Sequence, residues 1–473
     1  MNYTDNVFFI FFIVTFLVYY LPYNSARLQL GILVVASLFF YAWQSTPLLA
    51  VFLSSWLVTS LSSYGVLVSI RDSHAKFFAT IGVIVNLGLL GFFKYKYLVI
   101  HDLPSFHQQP ETISEWLILA PLPIGISFYT FHGISLLVDV YRRNTSITLE
   151  TQHSYMSSLS KYLTDTLLYL VFFPQLIAGP IIKAKDFYPQ VGLKKIQDID
   201  FSRCFRILIL GYFLKSVIAD NLSEQTFWIS YPYFQWKSSI DLLVLLYGYS
   251  AQIFADFAGY SLIAIGLAKL LGYKLPDNFN FPYLSSSISE FWRRWHISLS
   301  SWLRDYLYIP LGGNKNGVAL TYVNLIIVML MGGLWHGAAW SFAAWGLWHG
   351  IGLAIERPCN NSWFMTNTNL MTKVIRIFLV FNFVSLGWLF FKLQDFKQAL
   401  SYLGTMFKSD ANGISLGVLF FIGIYSSAVF IYHLLSIYKS KISPLLIDAI
   451  YGVMLFLILT SSGPSVPFIY FQF

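Results

Sequence analysis

The stretch that decides the fold is SEFWRRWHISLSSWLRDYLYIPLGGNKNG at residues 289–317, followed after an apolar run by GGLWHGAAWSFAAWGLWHG at residues 332–350. It sets Arg293 and Arg294 among tryptophans and tyrosines, and it places His336 at the end of the apolar run. Ionisable groups at membrane depth are costly, so a histidine in this position predicts a functional role. The structural alternative is a histidine hydrogen-bonded to a backbone carbonyl, where it would serve packing alone.

The composition is that of an integral membrane protein. Hydrophobic residues make up 56% of the 473 residues, charged residues only 11%, and the mean hydropathy is +0.62. Soluble domains are about 25% charged. The net charge of +8 fits the excess of Lys and Arg in cytoplasmic loops and is no evidence for nucleic acid. The two cysteines exclude a disulfide framework and a cysteine-rich metal site, and we predict no metal.

Apolar runs predict an all-α polytopic protein of about 11 to 13 membrane helices, each needing about 20 apolar residues. The candidate spans lie near residues 7–21, 28–43, 48–70, 77–99, 116–140, 162–178, 204–219, 240–271, 319–334, 338–355, 374–391, 415–435 and 446–461. The 240–271 run is long enough for a broken helix or for two shorter ones. The polar 272–317 stretch predicts a re-entrant element, because irregular backbone at membrane depth must be packed in protein or line a cavity.

We expect a single membrane-embedded domain over residues 1–473. It would consist of N-terminal helices (1–115), a core (about 116–355), and C-terminal helices with an aromatic tail (356–473). The apolar run at the start has no Lys or Arg before it and no small-residue cleavage site after it, so we expect a membrane helix there and not a cleaved signal.

The distribution of basic residues predicts the orientation. Arg27, the 71–76 loop and the pair Arg142 and Arg143 place the first, third and fifth loops in the cytoplasm and the N-terminus outside. By the same rule the basic 293–315 stretch faces the cytoplasm.

Three arginines of that stretch are candidates for binding the phosphates of a donor such as coenzyme A, or of a lipid headgroup. They are Arg293, Arg294 and Arg304. The alternative is that each of them only sets the topology of the chain.

Four further positions are candidates for function. His296 lies 40 positions before His336, on a different element, and either faces the same cavity or touches lipid phosphates. Asp256, inside an apolar region, would orient a histidine or, as we favour, pair with an arginine. Trp335 flanks His336. Tyr470, in the aromatic tail VPFIYFQF, either anchors the tail at the interface or presents its hydroxyl to the chemistry.

His349 repeats the Trp-His-Gly pattern 13 residues after His336. On a continuous helix 13 residues are about 3.6 turns, which puts the two histidines on roughly opposite faces. We therefore interpret His349 as structural.

Together these residues resemble the membrane-bound O-acyltransferase (MBOAT) superfamily, and within it the bacterial branch of the alginate O-acetyltransferase AlgI and its relatives. The resemblance covers nearly the whole chain, and FWRRWHISLSSWLRDYLYIPLGG followed by GLWHG is highly specific. The matching stretches are LPIGISFYTFHGISLLVDVYRR (122–143), FFPQLIAGPIIK (172–183), FADFAGYSLIAIGLAKLLGYKLPDNFNFPY (254–283), SEFWRRWHISLSSWLRDYLYIPLGG (289–313) and GGLWHGAAWSFAAWGLWHG (332–350).

The resemblance implies a ring of membrane helices around a central tunnel, with His336 as the catalytic histidine and His296 as the second polar position. It implies acyl transfer from cytoplasmic acetyl-CoA, without a bound cofactor, in the bacterial inner (cytoplasmic) membrane. The acetyl group would pass across the membrane to a periplasmic SGNH-type acetyltransferase partner that modifies an alginate-like polysaccharide. The tail resembles a tyrosine motif that relays the acyl group, here on Tyr470.

Several alternatives remain open. Within the superfamily they are O-acetylation of peptidoglycan or of a cellulose-type polymer, and export of D-alanyl groups. The LRDYLYIPLGG and GLWHG motifs favour polysaccharide acetylation over D-alanyl export. Outside the superfamily, a transporter would be built from paired inverted halves, and the sequence shows none. LGGN (311–314) resembles a phosphate loop only weakly, because it lacks the P-loop spacing.

Overall fold

The computed structural model describes residues 1–99, 113–143, 155–177, 179–407, 414–438 and 443–469, and no β-strand occurs among them. The helices of the first part of the chain are Asn6–Tyr20, Ala26–Gln44, Thr46–Val68, Asp72–Val99, Ile113–Leu119, Ile126–Tyr141, Leu159–Val171, Phe173–Leu176 and Ala184–Phe187, with short 3-10 helices at Tyr188–Gln190 and Ile196–Asp198.

The second part of the chain is also helical. Its α-helices are Phe201–Tyr212, Asp220–Thr226, Ser239–Leu270, Ile288–Arg294, Ile297–Leu303, Val318–His336, Trp340–Cys359, Trp363–Thr366, Leu370–Lys392, Phe396–Met406, Leu416–Tyr438 and Pro444–Thr460. Two π-helical segments, Phe213–Ala219 and Arg304–Tyr308, and 3-10 turns at Phe227–Ile229, Tyr233–Trp236 and Pro282–Leu284 complete it.

The prediction of an all-α polytopic membrane protein is confirmed. Within the described residues, seven helices are long and apolar enough to cross a membrane, and Asn6–Tyr20 and Pro444–Thr460 are shorter apolar helices. The seven are Ala26–Gln44, Thr46–Val68, Asp72–Lys96, Ser239–Leu270, Val318–His336, Leu370–Lys392 and Leu416–Ile437.

Within the described residues, fewer helices are long enough to span a membrane than the 11 to 13 that the sequence suggested, because several apolar runs are interrupted. The 116–140 run is divided between Ile113–Leu119 and Ile126–Tyr141. The 162–178 run forms a helix only to Val171 (Leu159–Val171), where Phe172 leaves helical geometry before Pro174. Apolar composition alone does not show such interruptions.

The chain divides into two compact units, residues 1–204 with 264–276, and residues 205–263 with 277–473. In the first unit, polar side chains tie neighbouring helices together: Asn86 donates to Thr59 Oγ1 at 2.9 Å, and Tyr162 donates to Ser63 Oγ at 2.8 Å. Such hydrogen bonds are common between membrane helices. The candidate residues that the structure describes lie in the second unit, and the single-domain organisation stays a prediction.

The 240–271 run forms one continuous helix, Ser239–Leu270, without the break that we considered. At 1.5 Å per residue its 32 residues span about 48 Å, more than the ~30 Å apolar core of a bilayer. Of its apolar window, 89% is buried in protein. A helix that is hydrophobic on all sides is typically an interior helix, and this one carries Asp256 into the core.

A tight helix hairpin organises the second unit. Val318–His336 and Trp340–Cys359 are joined by residues 337–339 only. Their backbones meet at Gly333 and Gly346, where a Cβ on Gly346 would stand 3.0 Å from the Leu330 Cα. Because no side chain fits at this contact, the two glycines set how closely the helices approach and thereby where His336 lies.

We expect Gly346→Val to destabilise the protein by about 1–3 kcal/mol or more, since an overpacked contact must push the hairpin apart. Thermal unfolding of the purified protein in detergent would measure the loss. The matched control is Gly423→Val, because a Cβ at Gly423 meets nothing within 4 Å. Equal unfolding temperatures for the two variants would contradict this account of the hairpin.

Candidate functional site

His336 is the last residue of Val318–His336 and is 4% exposed. Its ring meets Trp345 at a centroid distance of 5.1 Å and an interplanar angle of 89°, and meets Phe391 at 5.2 Å and 71°. Trp335 lies against it at 5.0 Å. The imidazole therefore lies among aromatic rings and away from bulk water.

His296 joins the short helices Ile288–Arg294 and Ile297–Leu303, and it is 1% exposed. Its backbone is left-handed, with φ 44° and ψ 54°. For a residue other than glycine this conformation is uncommon, costs of order 1–3 kcal/mol, and is concentrated at functional sites. The strain is consistent with a backbone shaped to aim the imidazole.

Asn278 holds the strained turn in place. Its backbone oxygen accepts from the Ile297 N–H at 3.0 Å, and its Oδ1 accepts from the Ser298 hydroxyl at 2.6 Å. Its own amide donates to Ser261 Oγ at 3.0 Å. This asparagine is not among the residues predicted from the sequence, and only the fold shows that it braces His296.

The helix Ile288–Arg294, which precedes His296, is capped at its N-terminal end by a side chain of the hairpin. Glu356, on Trp340–Cys359, accepts backbone hydrogen bonds from Ile288 and Ser289, the latter at 3.0 Å. Ser287 Oγ accepts from the Glu290 N–H at 3.0 Å. Carboxylate and hydroxyl caps satisfy amides that a helix start leaves open, so the returning helix of the hairpin is fixed to the helix that precedes His296.

The two candidate histidines come together. Their ring centroids are 6.3 Å apart, and Trp335 lies 6.0 Å from His296. The His296 ring also meets the Phe257 ring at a centroid distance of 4.6 Å. Burial lowers the pKa of His296 to about 3, so its imidazole is neutral at physiological pH.

The three candidate arginines lie near the same segment but differ in their contacts. Arg293 is exposed and donates to Ser289 Oγ at 2.9 Å. Arg294 is half-buried and pairs with Glu290 at 2.8 Å. Arg304 pairs with the adjacent Asp305 at 2.7 Å, and 62% of its side chain is exposed. Arg293 and Arg304 are thus accessible to a ligand, whereas Arg294 helps to hold the helix.

Asp256 has a partner that the sequence did not suggest. It pairs with Lys215 at 2.8 Å, where we expected an arginine or a histidine, and its Oδ2 accepts from the Ile469 N–H at 2.8 Å. Its neighbour Phe257 contacts His296. Tyr470 lies outside the described residues.

The structure explains two motifs that the sequence left aside. The LGGN turn is tied to the His336 helix, because the Asn324 amide donates to Leu311 O at 3.1 Å and to Gly313 O at 3.0 Å. The helical phase used for His349 does not apply, since the helix ends at His336 and a new one begins at Trp340. Trp345 consequently contacts both histidines, meeting His349 at 5.0 Å.

This arrangement suits proton transfer between a buried imidazole and a hydroxyl. Neutral histidine is the commonest general base, and an enclosure of low dielectric strengthens each electrostatic contact within it. In the described part of the chain, no group of three or more His, Cys, Asp or Glu could hold a metal ion.

Comparison with known proteins agrees with the motifs. The membrane-bound O-acyltransferase family model, MBOAT, matches residues 19–394. The chain is 38% identical over 420 residues to the "Probable alginate O-acetylase AlgI" of Azotobacter vinelandii, an alignment that covers 86% of this chain and 78% of that protein.

Two further relatives carry other names. The chain is 37% identical over 407 residues to the peptidoglycan O-acetyltransferase of Helicobacter pylori, covering 81% of this chain and 74% of the relative. It is 26% identical over 392 residues to the teichoic acid D-alanyltransferase of Bacillus subtilis, covering 79% and 92%. The resemblance found in the motifs is confirmed, and the chain belongs to the membrane-bound O-acyltransferase family, whose members are multi-pass membrane enzymes.

Proposed function

We propose that the protein passes an acetyl group from cytoplasmic acetyl-CoA across the bacterial inner membrane for O-acetylation of an extracytoplasmic polysaccharide. The observation that carries the proposal is the buried pair of His296 and His336, 6.3 Å apart, on the motifs that the chain shares with the family. A periplasmic SGNH-type partner would complete the transfer to the polymer.

Two acceptor polymers have nearly equal support. The relatives named for alginate and for peptidoglycan are 38% and 37% identical to this chain, whereas the relative named for D-alanyl transfer is 26% identical. O-acetylation is therefore favoured over D-alanyl transfer. Mass analysis of O-acetyl groups on exopolysaccharide and on peptidoglycan, in cells with and without the protein, would identify the acceptor. No change in either polymer would contradict the proposed function.

The proposed chemistry begins with His336 as general base. It removes the proton of an acceptor hydroxyl, whose oxygen attacks the thioester carbonyl. The carbon–sulfur bond then breaks, and the thiol leaves with the proton that His336 returns. A tyrosine hydroxyl has a reference pKa of about 10, so an acceptor of that kind needs a base to attack at neutral pH.

His296 is suited to orient the thioester carbonyl or to stabilise the oxyanion that forms on it. A neutral imidazole can donate one hydrogen bond, and a donor that is fixed before the reaction costs no reorganisation when charge develops. The strained turn and its Asn278 brace supply that fixed position.

The accessible arginines are suited to the phosphates of the donor. Arg293 and Arg304 are exposed, and guanidinium groups bind phosphate with two parallel hydrogen bonds. The basic residues around them predict a cytoplasmic location, which is where acetyl-CoA is found.

We expect His336→Ala to lower acetylation of the exported polymer by about 10²–10⁴-fold, because the general base is lost. O-acetyl content of the polymer measures the effect, and immunoblotting of membranes shows that the variant accumulates. The control is His74→Ala, since His74 is exposed in another part of the chain. Wild-type acetylation by the His336 variant would refute the assignment.

We expect the double variant Arg293→Gln, Arg304→Gln to raise KM for acetyl-CoA about tenfold or more with little change in kcat, since charge-assisted hydrogen bonds to the donor are lost. Initial rates in membrane vesicles measure both constants. The matched control is Arg206→Gln, because Arg206 is also exposed and also forms an ion pair, with Asp448 at 2.8 Å. An unchanged KM would leave the two arginines with a topological role alone.

If Tyr470 carries the acetyl group, we expect Tyr470→Phe to abolish transfer to the polymer, because the variant keeps the aromatic ring and loses the hydroxyl. The same O-acetyl measurement tests it, with Tyr23→Phe, an exposed tyrosine near the N-terminus, as the control. Full acetylation in the Tyr470 variant would make Tyr470 an anchor.

A further inference from the structure

A buried cluster of charges stands out in the second unit, outside the histidine pair. Lys215 pairs with Asp220 at 2.7 Å and with Asp256 at 2.8 Å. The three side chains are 1%, 3% and 6% exposed, respectively. Removing charges from water is expensive, and such an ion pair contributes little or nothing to stability compared with apolar residues of similar volume. The cluster therefore calls for a role other than stability.

All three charged residues bind the backbone of the C-terminal segment 461–469. Lys215 donates to Val466 O at 2.8 Å, and Val466 donates a backbone hydrogen bond to Asp220. Asp256 Oδ2 accepts from the Ile469 N–H at 2.8 Å. The segment has no helix of its own between Ser461 and Phe468, so these bonds replace the backbone pairing that a helix would supply.

The segment borders a cavity. A cavity of about 190 Å³ lies beside the cluster and is lined in part by Val466, Pro467 and Ile469. Lys215, Asp220 and Asp256 line the same cavity, so the segment meets the charged cluster at the edge of open volume and is held there by polar bonds.

The segment leads to the histidine pair through aromatic contacts. Phe468 is fully buried and meets Tyr260 at 4.4 Å and Phe257 at 5.8 Å. Phe257 in turn meets His296 at 4.6 Å. One helix, Ser239–Leu270, carries both the carboxylate that holds the tail and the ring that contacts His296.

The backbone around Lys215 is shaped for this contact. Lys215 lies in the π-helical segment Phe213–Ala219, a feature frequent at functional sites. Gly211 and Gly259 meet there, where a Cβ on Gly259 would stand 2.8 Å from the Lys215 N and 2.9 Å from the Gly211 O. The two helices can therefore come close enough for Lys215 to reach Asp256.

We propose that Lys215, Asp220 and Asp256 are positioning residues that clamp the C-terminal segment 461–469, so that Phe468 stays packed against Phe257, the ring that contacts His296, during acyl transfer. The inference rests on the proposed function but does not require Tyr470 to carry the acetyl group. The clamp sets where the segment lies, and the histidines perform the chemistry.

The first measurement follows the clamp without any substrate. Hydrogen exchange detected by mass spectrometry reports the amides of Gly463, Val466 and Ile469 in the purified protein. We expect Asp256→Ala to speed exchange in the C-terminal peptide at least tenfold, and Lys215→Met to have the same effect. We expect Asp256→Asn to have a smaller effect, because its amide oxygen can still accept a hydrogen bond. Unchanged exchange in Asp256→Ala would overturn the proposal.

The second measurement separates positioning from folding. We expect Asp256→Ala to lower acetyl transfer at least tenfold while the shift in unfolding temperature on adding acetyl-CoA stays as in the wild type. The matched control is Ser250→Ala, which removes a buried hydrogen bond of 2.9 Å from the same helix to Ser385 and leaves the tail bonds intact. We expect this control to keep both slow exchange and full transfer.

Two outcomes would refute the clamp even if exchange rises. One is full acetyl transfer with a released segment. The other is that Asp256→Ala and Ser250→Ala both lose acetyl transfer and the shift in unfolding temperature on adding acetyl-CoA. That result would show that Asp256 has a structural role. Failure of the proposed function would be recognised separately. If His336→Ala still acetylates the polymer, the proposed chemistry is wrong, but the hydrogen exchange result for the clamp still stands because it needs no substrate.

Discussion

The close backbone contact at Gly333 and Gly346 is the constraint on which the second unit depends. It lets a helix end at His336 and return at once through Trp340–Cys359. The returning helix supplies Trp345, which packs on His336, and Glu356, which caps the short helix before His296. A single hairpin therefore places the first histidine, encloses it and fixes the element that brings the second.

Polar groups in an apolar interior need partners, and this requirement explains the remaining architecture of the site. His296 lies in a strained turn that Asn278 holds by accepting three hydrogen bonds. Its backbone oxygen accepts from the Ile297 N–H, and its Oδ1 accepts from the N–H and the hydroxyl of Ser298. Lys215 is surrounded by two carboxylates and a backbone carbonyl. His296 and Lys215 are thus each supported by residues that lie elsewhere in the chain, at distances that no local sequence pattern reports.

The predictions from sequence were most accurate where local chemistry decides. The apolar runs gave the all-α membrane protein, and the Trp-His-Gly motif with the RRWH motif gave the two histidines that the fold brings together. They were least accurate where one element depends on another. The 240–271 run is a single interior helix, the 116–140 run is divided, and His349 shares Trp345 with His336 because the chain turns at 337–339.

The sequence by itself determined the class of protein, the family and the identity of the candidate histidines, because hydropathy and short motifs are properties of neighbouring residues. The tertiary structure alone decided that Asp256 pairs with Lys215, that Asn278 braces His296, and that the segment ending at Ile469 is tied to the helix that contacts His296. The physical reason is that these contacts join residues up to 251 positions apart, as between Lys215 and Val466. Whether two such groups meet depends on how closely the helices between them pack.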